Sequence, residues 1–198
     1  MIRRVVRIAR AASSALAGYE TTILAVDGSQ ISDGQTFTVK NVPDIQPSNL
    51  LLNETNDTLF RAVNSGLTGG AGFYLATGQI GDNPQVTTNP ALDVDLVRLN
   101  LLAGDTIYID IDAAEIGSPL DSTLVLFNAA GAVVATNADG ASHGELATTD
   151  SYLVATVTTA GTYYVGVSAD ANNAYNPLLQ GSGAAATTTG NYQLEISI

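Results

Sequence analysis

The sequence predicts an all-β fold, an antiparallel β-sandwich with a short N-terminal extension. The segment 106–112 (TIYIDID) alternates isoleucine with tyrosine and aspartate, which is typical of a strand with one buried and one wet face. Further short apolar runs follow, separated by Gly, Asn and Asp turn residues, and no helical period lies between them. This spacing of strands and turns favours a sandwich.

The first part of the chain predicts added strands and a linker. Segments 21–26 (TTILAV) and 36–39 (TFTV) read as a small hairpin or a pair of added strands around Asp27-Gly28-Ser29. Pro43 and Pro47 then mark a linker. We therefore divide the chain into an N-terminal segment, 1–48, and one β-sandwich domain, 50–198.

The remaining strands follow in order from position 93. Segment 93–112 predicts two strands joined by an Ala-Gly-Asp turn, although apolar residues in the first strand change parity near Val97 and Arg98. The later strands are predicted, in order, at 122–127 (STLVLF), 132–136 (AVVAT), 152–158 (YLVATVT), 162–168 (TYYVGVS) and 190–198 (GNYQLEISI).

Composition limits what can stabilise this domain. The chain has 198 residues, of which 45% are apolar, and this is enough for one full core plus an extension. It has no cysteine, so disulfides and thiolate chemistry are excluded. Stability must come from packing, strand pairing or a bound metal.

Charge is distributed unevenly. Four of the seven basic residues are arginines in the first ten positions, while the whole chain carries 19 acidic residues and a net charge of −12. The body is therefore strongly acidic, which argues against nucleic-acid binding and favours divalent cations. The segment 1–18 resembles an export signal only loosely because Arg7 and Arg10 interrupt its apolar part; a basic amphipathic helix, a disordered tail or a misassigned gene start are the alternatives. No apolar run is long enough to span a membrane.

Oxygen-bearing side chains are concentrated before the sandwich strands. Glu54, Asn56 and Asp57 form one cluster, and Asp93 and Asp95 lie on one side of an extended chain. Calcium binds six to eight such oxygens. Asn and Asp before a strand also cap turns, and the residues alone favour that interpretation.

Other polar groups give weaker signals. Asp121, Asn137 and Asp139 suggest a second ion, but Asn-Ala-Asp-Gly at 137–140 fits an ordinary hairpin turn better. Asp110 and Asp112 suit a solvated strand face better than a glycosidase pair. The only histidine is His143, and there is no serine-hydrolase elbow, zinc-binding HExxH or cysteine nucleophile, so we expect no catalysis.

Over residues 50–198 the chain resembles a known family. The segments that carry the resemblance are NETNDTLFRA, GQIGDN, DVDLVRLNLLAGDTIYIDID, LDSTLVLFNAAGAVVATNADG, DSYLVATVTTAGTYYVGVSA and GNYQLEISI. Their order is similar to the bacterial pre-peptidase C-terminal domain. The resemblance implies a jelly-roll-like sandwich that acts as an accessory domain of secreted peptidases and surface proteins. Related collagen-binding modules hold calcium.

The resemblance also implies a ligand set. In the related calcium-binding modules a Glu/Asn/Asp segment meets a later Asp pair. Carried onto this sequence, the calcium ligands are expected to be Glu54, Asn56, Asp57, Asp93 and Asp95.

Tyrosines of the last third suggest a partner. Tyr175, in the loop 172–177, is the predicted exposed contact with a polymer such as collagen or a glycan; a tyrosine pinned against the sandwich is the alternative. We therefore expect a noncatalytic, calcium-stabilised accessory module, extracellular or at the bacterial cell surface, with an extracellular protein or polysaccharide as partner. The alternative is a structural surface or filament subunit that self-associates by strand addition through 21–39.

Overall fold

The structure is a computed structural model that describes residues 51–52, 54–142, 145–184 and 186–198. The predicted N-terminal segment, 1–48, lies outside these residues, and so does His143. The filament alternative depends on 21–39 and stays a prediction.

The described residues form nine β-strands and two single-turn 3₁₀ helices, Pro90–Leu92 and Ala114–Ile116. The strands are β1 (Val63–Asn64), β2 (Phe73–Ile80), β3 (Val94–Leu101), β4 (Thr106–Asp112), β5 (Ser122–Asn128), β6 (Val133–Asn137), β7 (Tyr152–Thr156), β8 (Gly161–Ala169) and β9 (Gly190–Ser197).

The strands make two sheets, with the orders β1-β3-β8-β5-β6 and β2-β9-β4-β7. Neighbouring strands pair antiparallel throughout, except that β1 lies parallel to β3. Side chains from both sheets share one large core. The prediction of an all-β antiparallel sandwich is confirmed.

Strand β4 shows why the alternating sequence forms this layer. Ile107, Ile109 and Ile111 point into the core and are at most 1% exposed, whereas Tyr108 on the opposite face is 43% exposed. Burying one such isoleucine contributes about 1.5–3 kcal/mol. The alternation therefore fixes which face of β4 packs against the other sheet.

Strand β3 explains the change of parity seen in its sequence. Its pairing with β8 is unbroken from Val94 to Leu101, so the strand contains no bulge. Val94 and Leu96 lie in a second apolar cluster, apart from the main core, together with Leu59, Phe127 and Tyr175. The first half of β3 is thus buried on both faces, and apolar residues there do not need to alternate.

Strand β2 was missed by the sequence analysis. Tyr74, Ala76, Gly78 and Ile80 form its buried face, and small residues at two of these positions weaken the hydrophobic signal. Gly78 is paired with Tyr192 of β9, whose ring covers it. A glycine is required there because the aromatic ring occupies the space of a side chain.

No helix among the described residues has the length and hydropathy needed to cross a bilayer.

Replacing Gly78 by alanine tests this packing. A Cβ at Gly78 would lie 2.4 Å from the Tyr192 ring, so Gly78→Ala should lower the free energy of unfolding by about 1–3 kcal/mol. Chemical denaturation measures the change. Gln79→Ala, at the neighbouring outward position, is the control and should stay within about 0.5 kcal/mol of wild type. Equal stability of Gly78→Ala and wild type would contradict the account.

Candidate cation site

The five predicted calcium ligands come together at the start of β3. Asp93 caps the 3₁₀ helix that precedes β3, and Asp95 is the first β3 residue whose side chain shares the face of Val97. Glu54, Asn56 and Asp57 are on the chain segment before β1. The structure adds Asp82, whose carboxylate lies within 4.8 Å of those of Glu54 and Asp93. We call these six residues the candidate cation site.

Burial within the site is deep. Asp93 and Asp95 are 0% exposed, Asn56 is 1% and Asp57 is 3%. Glu54 is half-buried and Asp82 is exposed, which leaves one side of the site open to solvent. An ion could enter on that side without unfolding of the sandwich.

Hydrogen bonds hold one oxygen of each buried aspartate. Oδ2 of Asp93 accepts the backbone N–H groups of Gly81 at 2.7 Å and of Asp82 at 3.2 Å. Oδ2 of Asp95 accepts the Tyr192 hydroxyl at 2.5 Å. Oδ1 of Asp57 accepts the side-chain amide of Asn83. These bonds fix the orientation of the carboxylates before any ion binds.

Several oxygens of the site have no donor within hydrogen-bond distance, although the Asn56 amide lies near enough to Asp95 to oppose the rise of its pKa. The buried oxygens without a donor are Glu54 Oε2, Asn56 Oδ1, Asp57 Oδ2, Asp93 Oδ1 and Asp95 Oδ1. A buried polar group without a partner costs about 1–3 kcal/mol, and a charged one costs more. Each of the predicted ligands therefore contributes one buried oxygen that a bound cation would stabilise.

The pKa values respond to this concentration of acids. Burial, then the charge of Asp95, raises the pKa of Glu54 to about 9. Burial, then the charge of Asp93, raises the pKa of Asp95 to about 8, against the opposing effect of the Tyr192 hydrogen bond. Burial and the charge of Asp93 likewise raise the pKa of Asp57 to about 6. A bound cation would relieve the same repulsion and stabilise the ionised forms.

Asp82, Asn83 and Tyr192 are the functional residues that the sequence analysis missed. Asp82 and Asn83 belong to the segment GQIGDN, which was used for the resemblance without a ligand role. Tyr192 lies near the other end of the chain and gives no local signal for its bond to Asp95. Only the pairing of β9 with β2 brings it to the site.

The expectation of an exposed Tyr175 is wrong. Its side chain is 5% exposed and packs edge-on against Phe127, with ring centroids 5.5 Å apart. Its hydroxyl lies over Gly166 of β8, where no Cβ blocks it. The loop folds back because the outer face of β3, β8 and β5 is apolar here, so Tyr175 covers a second core.

The other acidic clusters are less buried. Oxygens of Asp110, Asp112 and Glu145 lie within 4.8 Å of one another, but all three residues are only half-buried. Burial raises the pKa of Asp112, and the hydrogen bond that the protonated Glu115 donates to Asp112 is the main reason that the pKa of Glu115 rises to about 7. Burial, then the charges of Asp170 and Asp139, raises the pKa of Asp121. The second ion suggested at Asp121, Asn137 and Asp139 stays a prediction; Asp139 is close enough for its charge to act on Asp121.

Fold and site together define a β-sandwich domain with an internal, preorganised acidic site. Residues 93–169 match the family model of the bacterial pre-peptidase C-terminal domain. This match confirms the resemblance over that segment, which includes Asp93 and Asp95, and supports an accessory module. No curated protein sequence is a significant match to the chain.

Solved structures that are similar to the chain include two from bacteria. The pre-peptidase C-terminal domain of collagenase from Bacillus anthracis is 16% identical, with 68% of this chain and 93% of that chain covered and a TM-score of 0.37. PliG from Aeromonas hydrophila, a periplasmic inhibitor of g-type lysozyme, is 15% identical, with 68% and 98% covered and a TM-score of 0.39.

Without divalent ions, the stability of the fold should decrease as the pH rises. A carboxyl group whose pKa is raised in the folded state binds its proton more tightly when folded, so protonation stabilises the fold. For Asp95, this stabilisation is complete below its ordinary pKa of 3.8 and is lost as the pH rises through its raised pKa of about 8. For Glu54, it is complete below the ordinary pKa of 4.5 and is lost as the pH rises through about 9. In chelator, the melting temperature should fall between pH 5 and pH 9, as measured by calorimetry.

Asp95→Asn is the matched variant for this experiment. It keeps the size of the side chain and removes one titrating group, so its melting temperature should depend less on pH over the same range. A wild-type melting temperature that rises with pH in chelator would contradict the electrostatic account.

Proposed function

We propose that the chain is a noncatalytic extracellular accessory module, of the kind found beside secreted bacterial peptidases, and that calcium stabilises it at the candidate cation site. The observation that carries the proposal is the set of buried oxygens without donors on Glu54, Asn56, Asp57, Asp93 and Asp95. The family match over 93–169 supports the accessory role.

The donor set fits calcium better than other common metals. All candidate ligands offer hard oxygens, and the site includes no cysteine or histidine among the described residues, which zinc or copper would favour. Side-chain oxygens from three separate chain segments suit the large, irregular coordination sphere of calcium. Magnesium would require near-octahedral geometry and would keep several waters. When bound, the ion would supply charge neutralisation, and Asp82 would complete the site from its open side.

The acids are placed for binding rather than for catalysis. Asp93 and Asp95 hold hydrogen bonds from backbone amides and from Tyr192 inside the sandwich. Surface cavities of about 420 and 250 Å³ occur on the described residues, the larger one next to the site at Leu92 and Gln85, and no carboxylate lines either of them. A general acid needs access to a substrate, and Asp93 and Asp95 are 0% exposed.

Calcium should raise the thermal stability of the full chain at pH 7. At a calcium concentration one hundred times the Kd, the stabilisation expected for one site is about 2.7 kcal/mol. Asp95→Asn should reduce calcium affinity by at least tenfold, because it removes a buried charge from the first coordination sphere. Titration calorimetry gives the affinity, and scanning calorimetry gives the shift in melting temperature.

Asp110→Asn is the control for this pair of measurements, since it removes a carboxylate from the other acidic cluster. It should bind calcium as wild type does. An unchanged melting temperature of the wild type in chelator and in excess calcium would refute the calcium proposal.

The partner proposed from the sequence, an extracellular protein or polysaccharide polymer, requires a different surface from Tyr175. Tyr108 of β4 and Val154 of β7 are directly opposite each other on the outer face of the four-stranded sheet, and they are 43% and 47% exposed. Exposed aromatic side chains on a flat sheet provide large contact area at low entropic cost. This face is the part of the described structure that best fits a polymer.

Tyr108→Ala should weaken retention on an insoluble polymer by about tenfold or more, as expected for an aromatic hot spot. Co-sedimentation with collagen fibres and with chitin measures the retention. Val133→Ala, an exposed residue of the other sheet, should bind as wild type does. Equal retention of wild type and Tyr108→Ala on a polymer that binds would remove this face as the contact.

A further inference from the structure

A row of apolar side chains crosses the outer face of the four-stranded sheet. Phe73 of β2 is paired with Ser197 of β9, and Tyr108 of β4 is paired with the same serine from the other side. Val154 of β7 is paired with Tyr108 in turn. Phe73, Tyr108 and Val154 are 38%, 43% and 47% exposed. We call these four paired residues the transverse row, because the line that they form runs across the strands.

Alternation along each strand places the transverse row on the outside of the sandwich. The sequence neighbours of the row that point inward are buried, and they are Tyr74 in β2, Ile109 in β4, Leu153 in β7 and Ile196 in β9. Successive side chains of a strand point to opposite faces, so the row itself faces outward. Three large apolar side chains in one line exceed the scattered exposure that is normal on a soluble domain, and they indicate a contact surface.

The spacing of the two aromatic rings suits a sugar chain. One strand, β9, lies between β2 and β4, so Phe73 and Tyr108 are two strand spacings, or about 10 Å, apart. In a β-1,4-linked glycan every second sugar presents the same face, and a repeat of two sugars has nearly this length. Ser197 is small enough to leave room for the sugar between the rings. The apolar face of each ring can then pack against the C–H face of one sugar.

Carboxylates lie next to the transverse row. Asp110 follows Tyr108 by two residues on the same face of β4, and it is directly opposite Glu195 of β9. Burial raises the pKa of Asp112, the next residue of this face, and the charges of Asp110 and Glu195 raise it further. Like charges directly opposite each other destabilise a sheet, so a cationic group of a ligand above this pair is favoured.

Rings and carboxylates together select the class of polymer. A glycan of free amino sugars offers C–H faces to the rings and an ammonium group on every unit to the acids. A protein fibre such as collagen carries charges of both signs, so it would also bring its own carboxylates to this face. An anionic polysaccharide would be repelled along its whole length.

We propose that the transverse row and the Asp110–Glu195 pair bind a β-1,4-linked glycan rich in free glucosamine, with the rings of Phe73 and Tyr108 against alternate sugars. The proposal names the ligand class of the polymer contact proposed above, and it rests on that contact. It does not depend on calcium binding, because no residue of the row belongs to the candidate cation site.

The test is calorimetric titration of the full-length protein with the β-1,4-linked hexamer of glucosamine, at pH 6 and low ionic strength, where its amines are charged. The β-1,4-linked hexamer of N-acetylglucosamine and maltohexaose, an α-linked glycan, are titrated under the same conditions. The glucosamine hexamer should bind at least tenfold more tightly than either. Its affinity should fall as the salt concentration rises.

Variants separate the contributions of the ring and of the charge. Phe73→Ala should weaken binding of the glucosamine hexamer by about tenfold, because it removes one of the two rings, whereas Phe73→Tyr keeps the ring and should bind within about twofold of wild type. Asp110→Asn should reduce the preference for the glucosamine hexamer over the acetylated hexamer. Phe60→Ala is the matched control and should bind as wild type does, because Phe60 is 97% exposed but lies outside both sheets.

Equal affinity of wild type and Phe73→Ala for the glucosamine hexamer would overturn the proposal. Equal or tighter binding of the acetylated hexamer or of maltohexaose would also overturn it, and so would hexalysine that binds as tightly as the glucosamine hexamer.

Co-sedimentation with collagen separates this proposal from the polymer contact on which it rests. Retention on collagen that is lost in Tyr108→Ala, without binding of any hexasaccharide, would reject the glycan and leave the contact at Tyr108 standing. Hexamer binding that is unchanged in Tyr108→Ala would reject the row and the contact together.

Discussion

The concentration of carboxylates in a desolvated place is the constraint on which this domain depends. Asp93 and Asp95 are fully buried at the start of β3, and the next residues of β3 that point inward are Val97, Leu99 and Leu101. Burying a charge is costly unless it is paired. Hydrogen bonds offset part of this cost: backbone N–H groups of the β2–β3 connection bond Asp93, and the Tyr192 hydroxyl bonds Asp95. The remaining cost comes from the buried oxygens that have no hydrogen-bond donor.

The remainder of the fold is arranged around the two faces of β3. Its inner face continues from the acidic site into the main core between the sheets. Its outer face is covered by Leu59 and by Tyr175 from the β8–β9 connection. Leu59 follows the site segment 54–57 closely in sequence, so packing of the outer cluster and positioning of the site ligands are linked through one short stretch of chain.

The strands and one face of each were predictable because period-two alternation is a local property. Ile107, Ile109 and Ile111 show it directly, and the glycine and asparagine turns delimit the later hairpins. Strand β2 was not predictable in this way because Ala76 and Gly78 are small. The need for glycine at Gly78 follows from Tyr192, which is more than one hundred residues away in sequence, and such a long-range reason leaves no local pattern.

The site was predictable in part. Residue types and a family resemblance were enough to nominate Glu54, Asn56, Asp57, Asp93 and Asp95, and the structure brings them together. Asp82 joins them through the turn after β2, whose backbone N–H bonds Asp93, and Tyr192 through the pairing of β9 with β2; spacing alone reveals neither. Tyr175 failed as an exposed contact because loop composition says nothing about an apolar sheet face beneath it.

The separation of the ligand segments along the chain has a consequence for the unfolded state. Glu54 and Asp95 enclose a loop of roughly 40 residues, and tying the ends of such a loop together removes about 4 kcal/mol of chain entropy from the unfolded ensemble if the tie behaves like a disulfide. The chain contains no cysteine. A coordinated ion would therefore act as its cross-link, one that reductants leave intact and that can be removed by depleting the ion.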